Sequence, residues 1–427
     1  MKKQVARLTC LGLLLLVSSC RSNSSNTNAP IEITLSGWQS NPNESKLLAK
    51  VINEFETRNP NIKVKREVIN SQYMDVIRTR LIGEVAPDVF YLEAFEAPTL
   101  MKSGVLEPLD AYIKPDYDIN DFEPSLINAF KRDGKLYAIP KDFSTLALFY
   151  NTTAFQNANL KQPPKTWAEL TQYAKLLTID TNRDGKPDCY GMGVAPELPR
   201  QLFMIKAFGG SLVDQQNYAS FASPNSVKGL QLVIDQYRRG SCGVAPCANR
   251  TVAQPSDVGA NSNSEAFGQG KIAMAIEGAW AIPYLKDTFP DLKFATAEVP
   301  TISGKKGTMA FTVGYGMNRQ SKHKDAAWKL IEFLTSKQGM KSWATEGLAL
   351  PSRKSVAAAL RYDRNPLYAP LAAGAKYATL WQSGETLPTV MTNFDNQFVS
   401  ALLGQQPLKD AMQKAQDTAN REIYLSN

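Results

Sequence analysis

Residues 31–92 alternate between the periods of strand and helix, and that alternation sets the fold class. Ile31–Leu35 (IEITL) reads as a first strand. In Ser45–Arg58 (SKLLAKVINEFETR), Leu48, Val51, Ile52 and Phe55 fall on one helical face. Asn61–Val68 (NIKVKREV) is a second strand and completes a β-α-β unit. Tyr73–Ile82 (YMDVIRTRLI) is again helical, and Pro87–Leu92 (PDVFYL) is a short buried strand. Strand and helix in alternation predict an α/β protein with parallel strands and right-handed crossovers. Ligands in such sheets bind beyond the carboxyl ends of strands, here Thr34–Asn41 and Leu92–Glu96.

Further along, strand signals return at Lys135–Pro140 and Leu146–Tyr150. Pro163-Pro164-Lys165-Thr166-Trp167 opens a helix with Thr166 as N-cap and Glu169 placed to complete a capping box. Asp325–Thr335 is a helix with Ala327, Leu330, Ile331 and Leu334 inward, and Leu408–Ile423 is a closing helix. No internal repeat is visible. A length of 427 residues suggests about two to four domains or two large lobes. The apolar content of 43% and charged content of 21% exclude a disordered or fibrous chain. A single histidine, His323, argues against His-rich metal centres and a Ser-His-Asp hydrolase.

The first residues read as a processing signal. Lys2, Lys3 and Arg7 precede the short apolar run Leu8–Val17, which ends in Val17-Ser18-Ser19-Cys20. That ending resembles a bacterial lipobox, which makes residues 1–19 a signal peptide, Cys20 the lipidated first residue and 20–29 a Ser/Asn-rich tether. An incidental cysteine after a plain secretory signal is the other reading. No later stretch reaches eighteen apolar residues, so the remainder is expected to be soluble. Cleavage removes three cations, taking the net charge from +8 to +5. Basic residues are scattered without aromatic interleaving, so nucleic acid is not an expected partner. Cys242 and Cys247 close a short loop and are the expected disulfide, with pairing of either to Cys189 left open.

Several stretches, taken in order, resemble the family 1 extracellular solute-binding proteins, which feed sugars to ABC importers, and particularly their maltose/trehalose-type members. They are Pro87-Asp88-Val89-Phe90, Ser103-Gly104-Val105-Leu106-Glu107-Pro108-Leu109, Gly134–Pro140 (GKLYAIP), Leu148-Phe149-Tyr150-Asn151 and Pro163–Trp167, with Gly270–Trp280 (GKIAMAIEGAW) the most diagnostic. The resemblance implies a two-lobed periplasmic-binding-protein-like fold, each lobe a central sheet flanked by helices, with a ligand cleft between them. The expected division is residues 30–141 plus 285–315 for the N-terminal lobe and 142–284 plus 316–427 for the C-terminal lobe. Lys141–Ser144 and Ala310–Gly316 are the expected crossings and hinge, with Gly314 and Gly316 giving backbone freedom.

The resemblance also directs attention to particular side chains. The family's matching tryptophan stacks on a sugar ring, which assigns that role to Trp280, against packing in the core. Trp38 is a second platform or a packing residue. Glu93, Asp142, Ser144 and Glu197 are candidates to bind hydroxyls, because a polar group left unpaired in a closed cleft costs about 1–3 kcal/mol. Arg200 reads either as a cleft residue or as one half of a surface ion pair. Tyr315 on the second crossing, Arg353 at the cleft edge and Trp381 complete the set; many relatives carry Arg-Pro near Trp381, where this chain does not. Asp180, Asn182, Asp184 and Asp188 occupy calcium-loop positions around Gly185, but position twelve is Gly191, so a structural calcium and a bare turn both stay open. No other cofactor is expected.

The leading expectation is a non-enzymatic binding protein, monomeric and lipid-anchored outside the inner membrane. It would capture a sugar, an oligosaccharide or glycoside, and deliver it to an ABC permease. A secreted glycoside hydrolase would need two carboxylates at hydrolase separation, for instance Glu93 and Glu197, and nothing in the sequence pairs them. A binder of another solute, such as a polyol, polyamine or iron, is the third reading.

Overall fold

The computed structural model describes residues 29–39, 42–238 and 250–426. The signal peptide, Cys20, Cys242 and Cys247 lie outside the described residues. Strand β1 (Ile31–Gly37) leads through helix α1 (Pro42–Arg58) to β2 (Ile62–Val68), and helix α2 (Tyr73–Ile82) leads to β3 (Val89–Glu93). β1 lies between the other two, parallel to both, in register Ile31↔Ile62 with β2 and Leu35↔Val89 with β3. Helix α1 turns Val51, Ile52 and Phe55 into the core as its spacing requires, and α2 turns in Ile77 and Leu81.

Of the two short strands expected at 135–140 and 146–150, Lys135–Leu136 pairs with Lys131–Arg132, and the stretches from Ala138 onward belong to one strand of 14 residues, Ala138–Asn151, buried along most of its length. Its first residues, Ala138 and Ile139, pack in the core around β1–β3. Beyond the middle its side chains alternate, as a pleated strand must. Leu146 and Leu148 enter one core of the second lobe, and Ala147 and Phe149 enter another on the opposite face of the sheet. The strand Thr308–Met317 runs antiparallel beside it, from Ala310↔Thr145 to Gly316↔Ala138, with a register shift between Val313 and Gly314. It places Met309 in the second lobe and Tyr315 and Met317 in the first. These strands are the two expected crossings. Neither Gly314 nor Gly316 has a positive φ. Gly314 is needed for close approach instead, because a Cβ there would stand 2.9 Å from Ala138 Cβ.

The expected lobe division needs correcting after residue 285. Helix Lys324–Leu334 sends Ala327, Leu330 and Ile331 into the first core, so the chain returns to the first lobe after the second crossing. Leu285, Val299 and Ile302 stay in the second lobe's cores. The first lobe is thus built from about residues 29–142 and 312–356. The chain re-enters the second lobe past Leu350–Pro351, which pairs with Phe143 and Asp142. Residues 378–380 then pair with Thr308–Ala310, and helices Leu387–Leu402 and Leu408–Ser426 finish the second core. Thr166 caps its helix as expected, accepting from Glu169 N at 3.2 Å. The Glu169 carboxylate, however, accepts from Lys165 N at 2.6 Å, one residue before the cap, so the reciprocal half of the capping box is displaced.

Arg353 is not at a cleft edge. Its side chain is 2% exposed. Nε donates to Thr335 O at 2.7 Å, Nη2 to Tyr117 O at 3.0 Å and Nη1 to Asp118 O at 3.1 Å, and the guanidinium lies over Phe122 at 4.1 Å. With Asp121 at 3.4 Å it staples three segments of the first lobe. Arg353→Met leaves those carbonyls without their donor, while Asp121 keeps Ser355 N at 2.9 Å and Ser355 Oγ at 2.6 Å. The substitution is expected to cost roughly 3 kcal/mol or more of stability in denaturant unfolding, with ligand affinity unchanged in the fraction that stays folded. Lost affinity at wild-type stability would return Arg353 to the cleft.

Candidate functional site

The carboxyl ends of β1 and β3 open onto a cavity of about 610 Å³ between the lobes. The first lobe contributes Trp38, just past β1, Glu93, the last residue of β3, and Asp75, Arg78, Phe95 and Glu96; the second contributes Pro388, Met391 and Glu422. Trp38 packs against the Tyr73 and Tyr91 rings, each 5.1 Å away and nearly perpendicular to it. Tyr73 is itself fixed, its hydroxyl donating to Ser36 O at 2.9 Å and accepting from Tyr91 N at 3.0 Å. Packing therefore fixes the indole before any ligand arrives, which spares ordering entropy on binding.

Glu93 is half-buried and has no ion pair among the described residues. Burial, and secondarily the neighbouring Glu96 carboxylate, raise its pKa to about 7. Glu96 is better compensated, with Arg78 Nη2 at 3.0 Å, and Arg78 also reaches Asp75 at 3.1 Å.

On the second lobe, Trp280 follows the strand Met274–Gly278 and stands partly exposed. Its Nε1 donates to Glu277 Oε2 at 3.2 Å, which also accepts from Arg200 Nη2 at 3.1 Å. Arg200 lies 5.4 Å from the indole centroid and Phe311 meets it edge-on at 6.0 Å. The six-membered ring rests against Gly278, where a Cβ would come within 2.2 Å of it. Phe311 and Val313 are two apart on the second crossing strand, and Val313 pairs with Glu93. One strand therefore runs from the Trp280 platform to the Glu93 end of the cavity, and Phe95 and Met391 pack with Trp280 and Phe311 against the same core.

Most of the other candidates are engaged elsewhere. Asp142 is buried between Lys141 and Trp343 Nε1, the latter at 2.8 Å. Ser144 accepts from Ala279 N at 2.9 Å and donates to Thr145 O, so it fixes the turn that carries Trp280. Tyr315 is buried in the first core against Tyr91. Trp381 is buried, with its ring 6.4 Å from Phe95 and its backbone N–H donating to Ala310 O at 2.8 Å, so it sits where the lobes meet. Glu197 is exposed at the start of helix Leu198–Ala207, which is capped instead by Asp395 accepting from Leu198 N at 2.6 Å. Burial raises the Asp395 pKa to about 7; Leu198 N–H works against the rise and Glu197 adds to it. Asp142, Ser144, Tyr315 and Arg353 are thus not free to face a ligand in this arrangement.

The Asp180 loop is folded on itself. Asp180 accepts from Gly185 N at 3.0 Å, Asn182 from Asp184 N at 3.0 Å, Asp184 from Lys186 N at 2.8 Å and Asp188 from Thr181 N at 2.8 Å. Among the described residues no three acidic, His or Cys side chains gather as a metal cage, so the calcium expectation gains no support here. Cys189 forms no disulfide among the described residues, which do not include Cys242 and Cys247. Glu277 and Asp395 were not read from the sequence. The signal for Glu277 was an acid inside an otherwise apolar strand, immediately before the Gly278-Ala279-Trp280 turn.

Comparison with known proteins gives a consistent family. The model of the bacterial extracellular solute-binding protein family matches residues 50–370. A binding protein of Brucella abortus is 26% identical over 84% of this chain and 87% of its own length. The multiple sugar-binding protein of Streptococcus mutans is 25% identical over 92% of this chain and 93% of its own. Among solved structures, an ABC substrate-binding protein from Listeria monocytogenes in complex with cycloalternan superposes with a TM-score of 0.82 at 24% identity, covering 92% of this chain and 99% of that one. The maltose/maltodextrin-binding domain from Bdellovibrio bacteriovorus bound to maltotriose gives 0.79 at 24% identity, covering 92% and 100%. Both are two-lobed, which agrees with the fold described above.

Glu93 makes a pH prediction. Its folded pKa, about 7, lies above the ordinary carboxyl value of about 4.3. The folded state therefore binds more protons between those limits, and this contribution to stability falls as pH rises from about 4 to about 7. The charges facing Glu93 are Asp75, Arg78, Glu96 and Glu422. Glu93→Gln, which stays neutral, should gain on the wild type by at least about 1 kcal/mol between pH 5 and pH 8 in urea unfolding. A difference that stays constant across that range contradicts an uncompensated Glu93.

Proposed function

The chain belongs to the bacterial extracellular solute-binding protein family, and on that premise we propose that it is the sugar-capturing component of an ABC transporter. It takes its ligand outside the inner membrane and passes it to a permease when the lobes close. One observation carries this reading: a cavity at the carboxyl ends of β1 and β3, walled by both lobes and lined by the Trp38 indole and by carboxylates, whose Phe95 and Met391 pack against the same core as Trp280 and Phe311. A sugar ring offers an apolar C–H face and a rim of hydroxyls. Half-exposed aromatics bury the face, and Glu93 accepts from the rim. The relatives named for sugars support the same substrate class.

The chemistry asked of the site is binding alone, and the family is one of solute-binding proteins rather than enzymes. Trp280, Trp38 and Glu93 are the proposed ligand contacts, with Gly278, Ser144 and Glu277 positioning Trp280. Export and attachment at the membrane surface through Cys20 are part of the proposal, resting on the lipobox-like Val17-Ser18-Ser19-Cys20. Among the described residues no helix is long and apolar enough to cross a membrane, so attachment is assigned to the N-terminus.

A thermal-shift screen over mono- and oligosaccharides should yield a sugar that raises the melting temperature and is recovered chemically unchanged. Against that sugar, Trp280→Ala should weaken affinity at least tenfold in calorimetry, about 1.4 kcal/mol, with folding retained. Gly278→Ala should weaken it in the same direction with the indole still present, because the added Cβ displaces the ring. Equal affinities in both variants would remove Trp280 from the site, and cleavage of the sugar would revive the hydrolase.

A further inference from the structure

The wall of the inter-lobe cavity is electrically unbalanced. Four of its side chains are acids, Asp75, Glu93, Glu96 and Glu422, and one is a cation, Arg78. Arg78 is already committed to Asp75 at 3.1 Å and Glu96 at 3.0 Å. Glu422 accepts from Asn393 at 2.9 Å. The second lobe otherwise offers Pro388, Thr389, Met391 and Thr392, none of them charged. Among the described residues Glu93 is therefore left without a cation of its own, since Arg78 is committed to Asp75 and Glu96 and the second lobe brings none to the wall. A second observation agrees: Glu96, 3% exposed, keeps Oε2 buried without a hydrogen-bond partner.

A carboxylate withdrawn from water without a partner is costly, and two things relieve it: a proton or a cation. The raised pKa of Glu93 corresponds to the first remedy. A ligand can supply the second. Trp38 lines the same cavity, fixed by Tyr73 and Tyr91. An indole and an unpaired carboxylate lining one cavity are the two groups that together recognise an ammonium, through its charge against the ring and its N–H donors to the oxygens. A neutral hydroxyl supplies hydrogen bonds but no charge. A uronic acid or sugar phosphate would add a further anion to a wall that already holds four acids.

Resting on the sugar-binding reading above, we propose that the ligand carries a protonated amine, as an amino sugar does, and that Glu93 beside Trp38 selects it over the hydroxyl counterpart. Discrimination of this kind comes from the site as much as from the ligand, since the neutral analogue leaves the carboxylate without its charge partner.

The test compares matched pairs on the mature protein by calorimetry at pH 6.5: glucosamine with glucose, galactosamine with galactose, mannosamine with mannose, and the β1,4-linked glucosamine dimer with cellobiose. The N-acetylated forms serve as bulky neutral controls. The expected result is that at least one amine binds tenfold or more tightly than both its hydroxyl and N-acetyl counterparts. Added salt should weaken the amine preferentially, and Glu93→Gln should bring the amine-to-hydroxyl ratio close to one. Neutral sugars that bind as well as or better than their amines overturn this inference and leave the sugar reading standing. A preference for the amine that survives Glu93→Gln overturns the role of Glu93. A panel in which neither amines nor neutral sugars bind overturns both readings together.

Discussion

The antiparallel pairing of Ala138–Asn151 with Thr308–Met317 is the constraint on which the rest of the molecule depends. Each strand begins in one core and ends in another, so each core is completed by residues the other lobe also needs to hold in place. The pairing is tight: Gly314 faces Ala138 and Phe130 without room for a side chain. Thr312 Oγ1 donates to Asp142 O at 2.7 Å and Thr308 Oγ1 to Leu146 O at 2.8 Å, so side chains as well as backbones lock the two strands together. A rotation of one lobe against the other must be absorbed within this ladder, and the register shift between Val313 and Gly314 is where the ladder is already irregular.

The same pair of strands assembles the site. Val313 pairs with Glu93, Phe311 supports Trp280, and Ser144 on the partner strand holds the Ala279 N–H that precedes Trp280. The proposed binding groups of the two lobes, Glu93 and Trp280, therefore both adjoin this strand pair. Small rotations there move the platforms relative to one another while the cores stay intact, because packed cores resist deformation and hydrogen-bonded ladders bend. Buried Asp142, held by Lys141 and Trp343, adds a polar lock at the same place; breaking such a pair costs more than the pair itself contributes.

Much of this was legible in the sequence. Helices α1 and α2 and strands β1–β3 follow from hydrophobic period, and the two crossings, like the proposed role of Trp280, follow from family resemblance. Other features were hidden for physical reasons. Pro140 and Lys141 look like a break between two strands, yet the strand continues because Pro140 sits where the register shifts and Lys141 is sheltered between the Tyr91 and Trp343 rings. The return of helix Lys324–Leu334 to the first lobe carries no local signal, since its apolar face fits either core. Asp142, Ser144 and Arg353 had the residue types of a sugar site, but a polar side chain on a buried strand is as readily claimed by a neighbouring backbone, and only the tertiary partners decide. Glu93 was identified as a candidate; its missing countercharge was not, because that depends on what the second lobe fails to bring.

The central claim is that this strand pair is a hinge and that ligand closes the lobes about it. Small-angle scattering of the mature protein with and without saturating sugar tests it most directly. A ligand touching both lobes favours the closed state by its differential contacts, so the account predicts a smaller radius of gyration with sugar bound. Tight calorimetric binding with superimposable scattering curves would contradict it and place the ligand in a rigid pocket.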